Sequence, residues 1–345
     1  MPWNLLNQND ILTVQKGTHT FPDATTQSDD TITACVKNKS ILIFNYHGGN
    51  ATDASQRIWI RGKILNSTTL RFNRAATNIV DVTIEWFVVE FKASAPITVQ
   101  HGDTGTFTGT TQNESITAVN TSKAFPIYTY EVNGTAIANN EWLRGEITSS
   151  TNFQLTKSGA SQVICDYQII EYQRVNVSTT TISQSGGSTN GTISAVNMAD
   201  TMIIGNAKCS SASNPLGGDS IPRYELTSTT NINVNRNGTN GTFDWIFYIV
   251  ETNGRIQVQR DGTETIGSGN TTGTTTWTTF NTNMTALYRA MPQCAMGHNS
   301  SSTADEMNIL AVSHKITNST TTTQTRQGTG VNVNIACELW DFANA

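Results

Sequence analysis

Four carboxylates recur at matching places along the chain: Glu90, Glu171, Glu251 and Asp341. Two carboxyl groups at a set separation are what glycoside hydrolysis uses, one as general acid and one as base or nucleophile. Each of the four sits in its own copy of a repeated segment, so any two belong to separate bodies unless an interface joins them. A base precedes each acid by 14 to 16 residues: Arg74, Lys157, Arg236 and Arg326. The expectation is an ion pair within each unit, Arg74 with Glu90, Lys157 with Glu171, Arg236 with Glu251 and Arg326 with Asp341, at the rim, worth under about 1 kcal/mol.

His101-Gly102-Asp103 has the make-up of a base beside an orienting carboxylate. The corresponding places read Lys16-Gly17-Thr18 and Arg260-Asp261-Gly262. A position that accepts Lys, His or Arg reads as a solvated turn, because general-base catalysis needs a defined partner. The histidines (His19, His47, His101, His298, His314) show no H-x-x-x-H or H-x-H spacing for a metal. The cysteines (Cys35, Cys165, Cys209, Cys294, Cys337) lie far apart without a C-x-x-C pair, as free thiols in a reducing compartment would. There is no G-x-S-x-G elbow and no Gly-rich phosphate loop. The expectation is a protein that is not an enzyme, with no cofactor and no metal.

The elements that must carry these residues follow from composition. Of 345 residues only 14% are charged, while 56 are Thr and 35 Asn. Thr favours strands and Asn favours turns, which points to sheet joined by tight turns. With 37% hydrophobic residues a core can be built, so disorder is not expected. A net charge of −5 with no basic stripe argues against nucleic acid. No apolar run reaches the roughly 20 residues of a membrane span, and the start, MPWNLLNQND, lacks the pattern of a signal peptide.

The chain repeats one unit four times. ILNSTTLRFNR (64–74) returns as ITSSTNFQLTK (147–157), LTSTTNINVNR (226–236) and ITNSTTTTQTR (316–326). Each is followed by an apolar strand ending near the acid: DVTIEWFVVEF, QVICDYQIIEY, TFDWIFYIVET and NVNIACELWDF. LTVQKGTHTF opens the first unit, ITVQHGDTGTF the second and IQVQRDGTETI the fourth, with a degenerate VNVSTTTI in the third. Period-two alternation in the last strand, with Ile84, Trp86 and Val88 inward and Glu85, Phe87 and Val89 outward, is that of a sandwich strand whose outer face is partly exposed or meets a neighbour. The fold class is all-β: four tandem antiparallel β-sandwich repeats of about 80–90 residues. The boundaries are an N-terminal extension at 1–10 and repeats at 11–93, 94–173, 174–253 and 254–345. A sandwich this small, lacking disulfides, needs packing between repeats or between chains.

The segments that vary most between copies start at Phe44, Thr129, Gly205 and Ala290. Near them Tyr46, His47, Trp59, Tyr128 and Trp142 form a candidate platform for stacking on sugar rings or for subunit contact. Trp3, Leu5 and Leu6 precede the first repeat and form a candidate anchor onto a partner.

Signatures such as VQ-[KHR]-G-T-x-T-F, I-T-A-V-N-x-S-K-x-F and W-F-V-V-E-F, in a Thr/Ser/Asn-rich chain of tandem sandwiches, resemble structural proteins of tailed-phage virions: capsid decoration or cement, head fibres and tail components. The resemblance covers the chain after its first ten residues. It implies a location in the virion after synthesis in the host cytoplasm, and contacts with other virion proteins and copies of itself. A looser likeness, in strand order, is to six-stranded sugar-binding sandwiches of the H-type lectin kind, from which no sugar-binding residue transfers. The alternative function is binding of a cell-surface receptor or glycan through the variable segments. A cell-surface adhesin ranks below both, and an enzyme last.

Overall fold

The structure is a computed structural model. The structure describes residues 10–48, 59–77, 80–133, 142–210, 222–236, 241–260, 264–278, 280, 283, 285–288, 296–298, 312–329 and 332–342.

Alternating burial and dense turn signals give strands throughout, as the composition requires. The first repeat contains β1 (Ile11–Phe21), β2 (Gln27–Thr31), β3 (Ser40–Gly48), β4 (Arg61–Asn66), β5 (Thr69–Asn73) and β6 (Val82–Phe91). The second contains β7 (Ile97–Asp103), β8 (Thr111–Ser115), β9 (Ala124–Asn133), β10 (Arg144–Ser149), β11 (Asn152–Thr156) and β12 (Gln162–Tyr172). The third contains β13 (Asn176–Gln184), β14 (Ser188–Thr192), β15 (Thr201–Cys209), β16 (Arg223–Ser228), β17 (Asn231–Asn235) and β18 (Phe243–Glu251). The fourth contains β19 (Gln257–Arg260), β20 (Glu264–Ile266), β22 (Thr285–Tyr288) and β23 (Met296–His298), and its last strand is interrupted between β26 (Val333–Ile335) and β27 (Glu338–Asp341). β21 (Thr272–Thr276), β24 (Ser313–Asn318) and β25 (Thr321–Thr325) complete it.

The first three repeats fold alike, each into two antiparallel three-stranded sheets: β1-β6-β3 and β2-β5-β4 in the first, β7-β12-β9 and β10-β11-β8 in the second, β13-β18-β15 and β14-β17-β16 in the third. The fourth has the counterpart of the second of these, β21-β25-β24, and divides the counterpart of the first into β19-β27-β22 and β20-β26-β23. The sixth strand is therefore the centre of the inner sheet. Its inward residues pack into their own sandwich, where Trp86 Nε1 donates to Asp30 Oδ2 on β2 at 2.7 Å. The outward set is buried as well: Phe87 is 2% and Val89 0% exposed. Strands covered on both faces need apolar residues on both, and here the second cover is the neighbouring repeats.

A close approach explains the glycine of the VQ-x-G signature. Gly17 pairs directly with Trp86 and Gly102 with Tyr167. A Cβ there would lie 2.4 Å from the Trp86 ring and 2.3 Å from that of Tyr167. In the third repeat the corresponding aromatic, Phe247, turns to the other side and lies over Gly205 of β15, where a Cβ would meet it at 2.3 Å. The degenerate VNVSTTTI strand lacks the glycine because the space for the ring is supplied by the opposite neighbour.

The basic residue ending each conserved block closes the turn after the first strand. Arg74, 2% exposed, donates to the carbonyls of Pro22, Asp23 and Thr25 at 2.6–3.0 Å and lies 4.5 Å over the Phe21 ring. Lys157 donates to Thr108, Gly159 and Ser161 carbonyls, Arg236 to those of Gln184, Gly186 and Gly241, and Arg326 to those of Gly267 and Asn270. The acids stand elsewhere. Glu90 pairs with Thr13 and Ser40, at the far end of β6 from the Phe21–Val82 pair. The structure thus does not bring Arg74 to Glu90, Lys157 to Glu171, Arg236 to Glu251 or Arg326 to Asp341. Fourteen to sixteen residues of sequence include nearly a whole strand, about 26 Å of chain, so each base and its acid occupy opposite ends of the sandwich. Instead Glu90 Oε1 accepts from Val36 N at 2.8 Å and Glu171 Oε1 from Asn120 N at 2.9 Å, each receiving the turn before the third strand.

The four repeats share one hydrophobic core. Ile41, Phe91, Phe125, Tyr172, Met202 and Phe342, drawn from all four, meet around a residual void of about 10 Å³. That is too little for more than a single water.

Candidate functional site at the seams between repeats

At three of the four seams, one head-to-tail contact recurs among the described residues, in which an N–H near the start of the fourth strand donates to a polar side chain on the third strand of the next repeat. Gly62 N donates to Thr129 Oγ1 at 2.9 Å, and Gly145 N to Asn206 Oδ1 at 2.8 Å. His314 N in the fourth repeat donates to Asn45 Oδ1 in the first at 2.6 Å. The register aligns Asn45, Thr129 and Asn206 at one position of the third strand. The last repeat therefore meets the first through the contact that joins the first to the second and the second to the third, repeats three and four meet through β15 and the strands β19 and β27, and the molecule closes into a ring.

A second contact comes from the residue three places before each acid. Gln168 accepts from Leu42 N at 2.7 Å and donates to Leu42 O at 2.8 Å, so its amide satisfies both polar groups of a buried residue in the preceding repeat. Glu338 accepts from Ile203 N at 3.2 Å and is held by Arg260 at 2.7 Å. Between repeats two and three the corresponding backbone residue is Pro126, which has no N–H to offer. There Tyr248 OH accepts from Ile147 N instead, at 2.7 Å.

The His101 position is not a solvated turn. His101 lies in β7, and its Nε2 donates to the carbonyls of Lys37 at 2.8 Å and Ser40 at 3.1 Å in the first repeat. Arg260, at the same place in β19, donates to the carbonyls of Met198 and Thr201 in the third. Any side chain carrying an N–H on a long enough stem serves, which is why His and Arg alternate there. Burial pushes the His101 imidazole down to about 4, against the bonds to the two carbonyls. It is neutral at pH 7.

The aromatic candidates are interior. Tyr46, Trp59, Tyr128 and Trp142 are 1%, 0%, 6% and 0% exposed. Trp59 packs edge-on against Tyr130 of the next repeat, with centroids 5.0 Å apart, and Trp142 against Phe243 of the next, at 5.4 Å. Tyr128 OH donates to Leu143 O. His47 Nδ1 pairs with Ser313 Oγ at 2.7 Å across the seam between the fourth repeat and the first. The stacking platform expected from sequence is thus part of the core. Trp3, Leu5 and Leu6, and most of each variable segment, lie outside the described residues.

The seam between the first two repeats also carries charge. Arg61 pairs with Asp166 at 2.7 Å and Glu131 at 3.2 Å, and Lys63 with Asp103 at 3.2 Å and Asp166 at 3.3 Å. Burial pushes the Arg61 guanidinium down, but Asp166 and Glu131 outweigh it and hold it above the ordinary value. The Glu131 carboxyl is pushed up by burial against the pull of Arg61. A cavity of about 130 Å³ lies beside this network, lined by Lys37, Lys63, His101, Asp103 and Asp166 among others. Its acids are matched by bases, and its imidazole is committed to two carbonyls. That chemistry locks two bodies together.

Sequence reasoning did not single out Arg61, Asp166, Gln168, Asn206, Tyr248 or Glu338. A signal existed in the last strand of each unit, where Glu85, Asp166, Gln168 and Glu338 interrupt a face otherwise apolar enough to be buried. The chain has no match among known protein-family models or curated proteins.

Proposed function

We propose that the protein is a non-enzymatic structural component of a virus particle, acting as a rigid block of four sandwiches that contacts other virion proteins and copies of itself. The observation that carries this reading is the ring: one head-to-tail contact recurs at three of its seams, and the seams take up His101, His47, Trp59 and Trp142. The resemblance of the repeat signatures to tailed-phage structural proteins supplies the particle. The receptor- or glycan-binding alternative loses its aromatic platform to the core, and rests on variable segments outside the described residues.

The test is to label purified particles with antibody raised against the chain, alongside a glycan array probed with the purified protein. Antibody decorating intact particles, with a blank array, is the expected result. Sugar binding together with absence from particles would move the function to recognition.

A further inference from the structure

Repeats one and two, two and three, and three and four are tied by short linkers, from Phe91 to Ile97, Tyr172 to Asn176 and Glu251 to Gln257. Repeats four and one stand at opposite ends of the sequence and are held by non-covalent contacts. His314 N bonds to Asn45 Oδ1, His47 to Ser313, and Lys315 Nζ to Thr18 Oγ1 at 3.2 Å, with Glu85 4.0 Å away.

We infer that this seam is an exchangeable assembly surface, where the fourth repeat of one copy docks on the first repeat of a second copy through the contacts that otherwise close the ring. A heterologous contact closes or propagates depending only on which molecule supplies the partner. An opened copy presents one face of each kind, the β24 face of repeat four and the β3 and β6 face of repeat one, so chains join head to tail without limit. The bonds made between copies are those lost within one, so the balance is set by concentration against the effective concentration of the tethered repeat. The apolar hub must separate for exchange, because Trp340 and Phe342 of the last repeat line it with Phe91 of the first. Assembly is therefore slow at rest and released by conditions that loosen the hub. The inference rests on ring closure alone and stands whether or not the protein belongs to a particle.

The experiment compares the full chain with the same chain cyclised head to tail by a split intein. Both are unfolded in urea, refolded over a hundredfold range of concentration, and measured by light scattering. The linear chain is expected to give masses at whole multiples of 37.4 kDa that grow with refolding concentration, and the cyclised chain a monomer throughout. A linear chain that stays monomeric at every concentration, or oligomers identical in both forms, overturns the inference. Should the cyclised chain fail to fold, Lys315→Glu and Glu85→Lys variants carry the test. Each alone sets like charges across its own seam, whereas mixing restores opposite charges only between copies. Mixed species exceeding self-assembly of either variant by severalfold are expected, and equal amounts overturn it.

Discussion

The seam between repeats one and two and the seam between repeats two and three have the same geometry and different chemistry. At the first, Gln168 satisfies both backbone groups of Leu42 while Arg61, Lys63, Glu131 and Asp166 form a partly buried ionic network. At the second, Pro126 removes the donor, Tyr248 reaches Ile147 instead, and Arg144 pairs with Glu146 of its own strand at 2.7 Å. The residue of the third repeat that corresponds to Asp166 is Ile246, so no acid awaits a base there. One backbone arrangement thus accepts two solutions, and a single imino acid decides which polar side chain the partner strand must carry.

Removing an aromatic hinge should produce the largest effect and should treat the two seams alike. Trp59→Ala and Trp142→Ala each empty a fully buried site between repeats, at about 3–5 kcal/mol. Chemical denaturation of both variants checks this. A loss confined to one would show that the seams do not share a packing rule.

Charge should separate them. Asp166→Ala leaves Arg61 and Lys63 without their shared acid in a site where Asp166 is 3% exposed, and breaking a buried pair costs about 3–5 kcal/mol. Arg144→Ala at the other seam removes a half-buried pair within one strand, worth about 1 kcal/mol or less. Comparable losses in the two variants would erase the distinction between an ionic and a neutral seam.

Backbone satisfaction gives a smaller contrast. Gln168→Leu orphans both the N–H and the carbonyl of Leu42, at about 2–3 kcal/mol, whereas Tyr248→Phe orphans a single N–H, at about 1–2 kcal/mol. In a background with Pro126→Ala, the Tyr248→Gln change should recover part of its cost, because the new N–H would then have its amide partner. Double-mutant denaturation reads that coupling.

The fold was legible because the repeat was. The block ending in Arg74, Lys157, Arg236 and Arg326 marks the fifth strand of each sandwich, and the apolar run after it marks the sixth. What a linear reading missed is where the ends of those strands lie. A conserved spacing between base and acid suggests a pair, yet a strand between them carries the two charges apart. The aromatic residues near the variable segments failed for a related reason: Trp59 and Trp142 immediately precede strands, and their rings fill the gap to the next repeat. Ring closure has no local signature, since it depends on His314 meeting Asn45 across 269 residues.

Acid should sharpen the comparison by the smallest increment. His101 serves the first seam, and the second has Thr179 at that position. Burial holds His101, and His47 at the closing seam, down to about 4. A histidine kept neutral in the folded state stays so while the unfolded chain takes up a proton near pH 6.5. Stability is therefore full above that pH and is lost as pH falls from about 6.5 towards 4. Burial raises Glu85 and Glu131, which bind protons more readily when folded and oppose the loss at the lower end of that window. The histidine effect is cleanest between pH 7 and 5.5, where His101→Gln, which keeps an N–H donor for the Lys37 and Ser40 carbonyls, should reduce the loss of unfolding free energy by about 1 kcal/mol. An unchanged pH slope in that variant would mean that His101 does not carry the loss, leaving it to His47 at the closing seam and to His19, whose imidazole burial also pushes down.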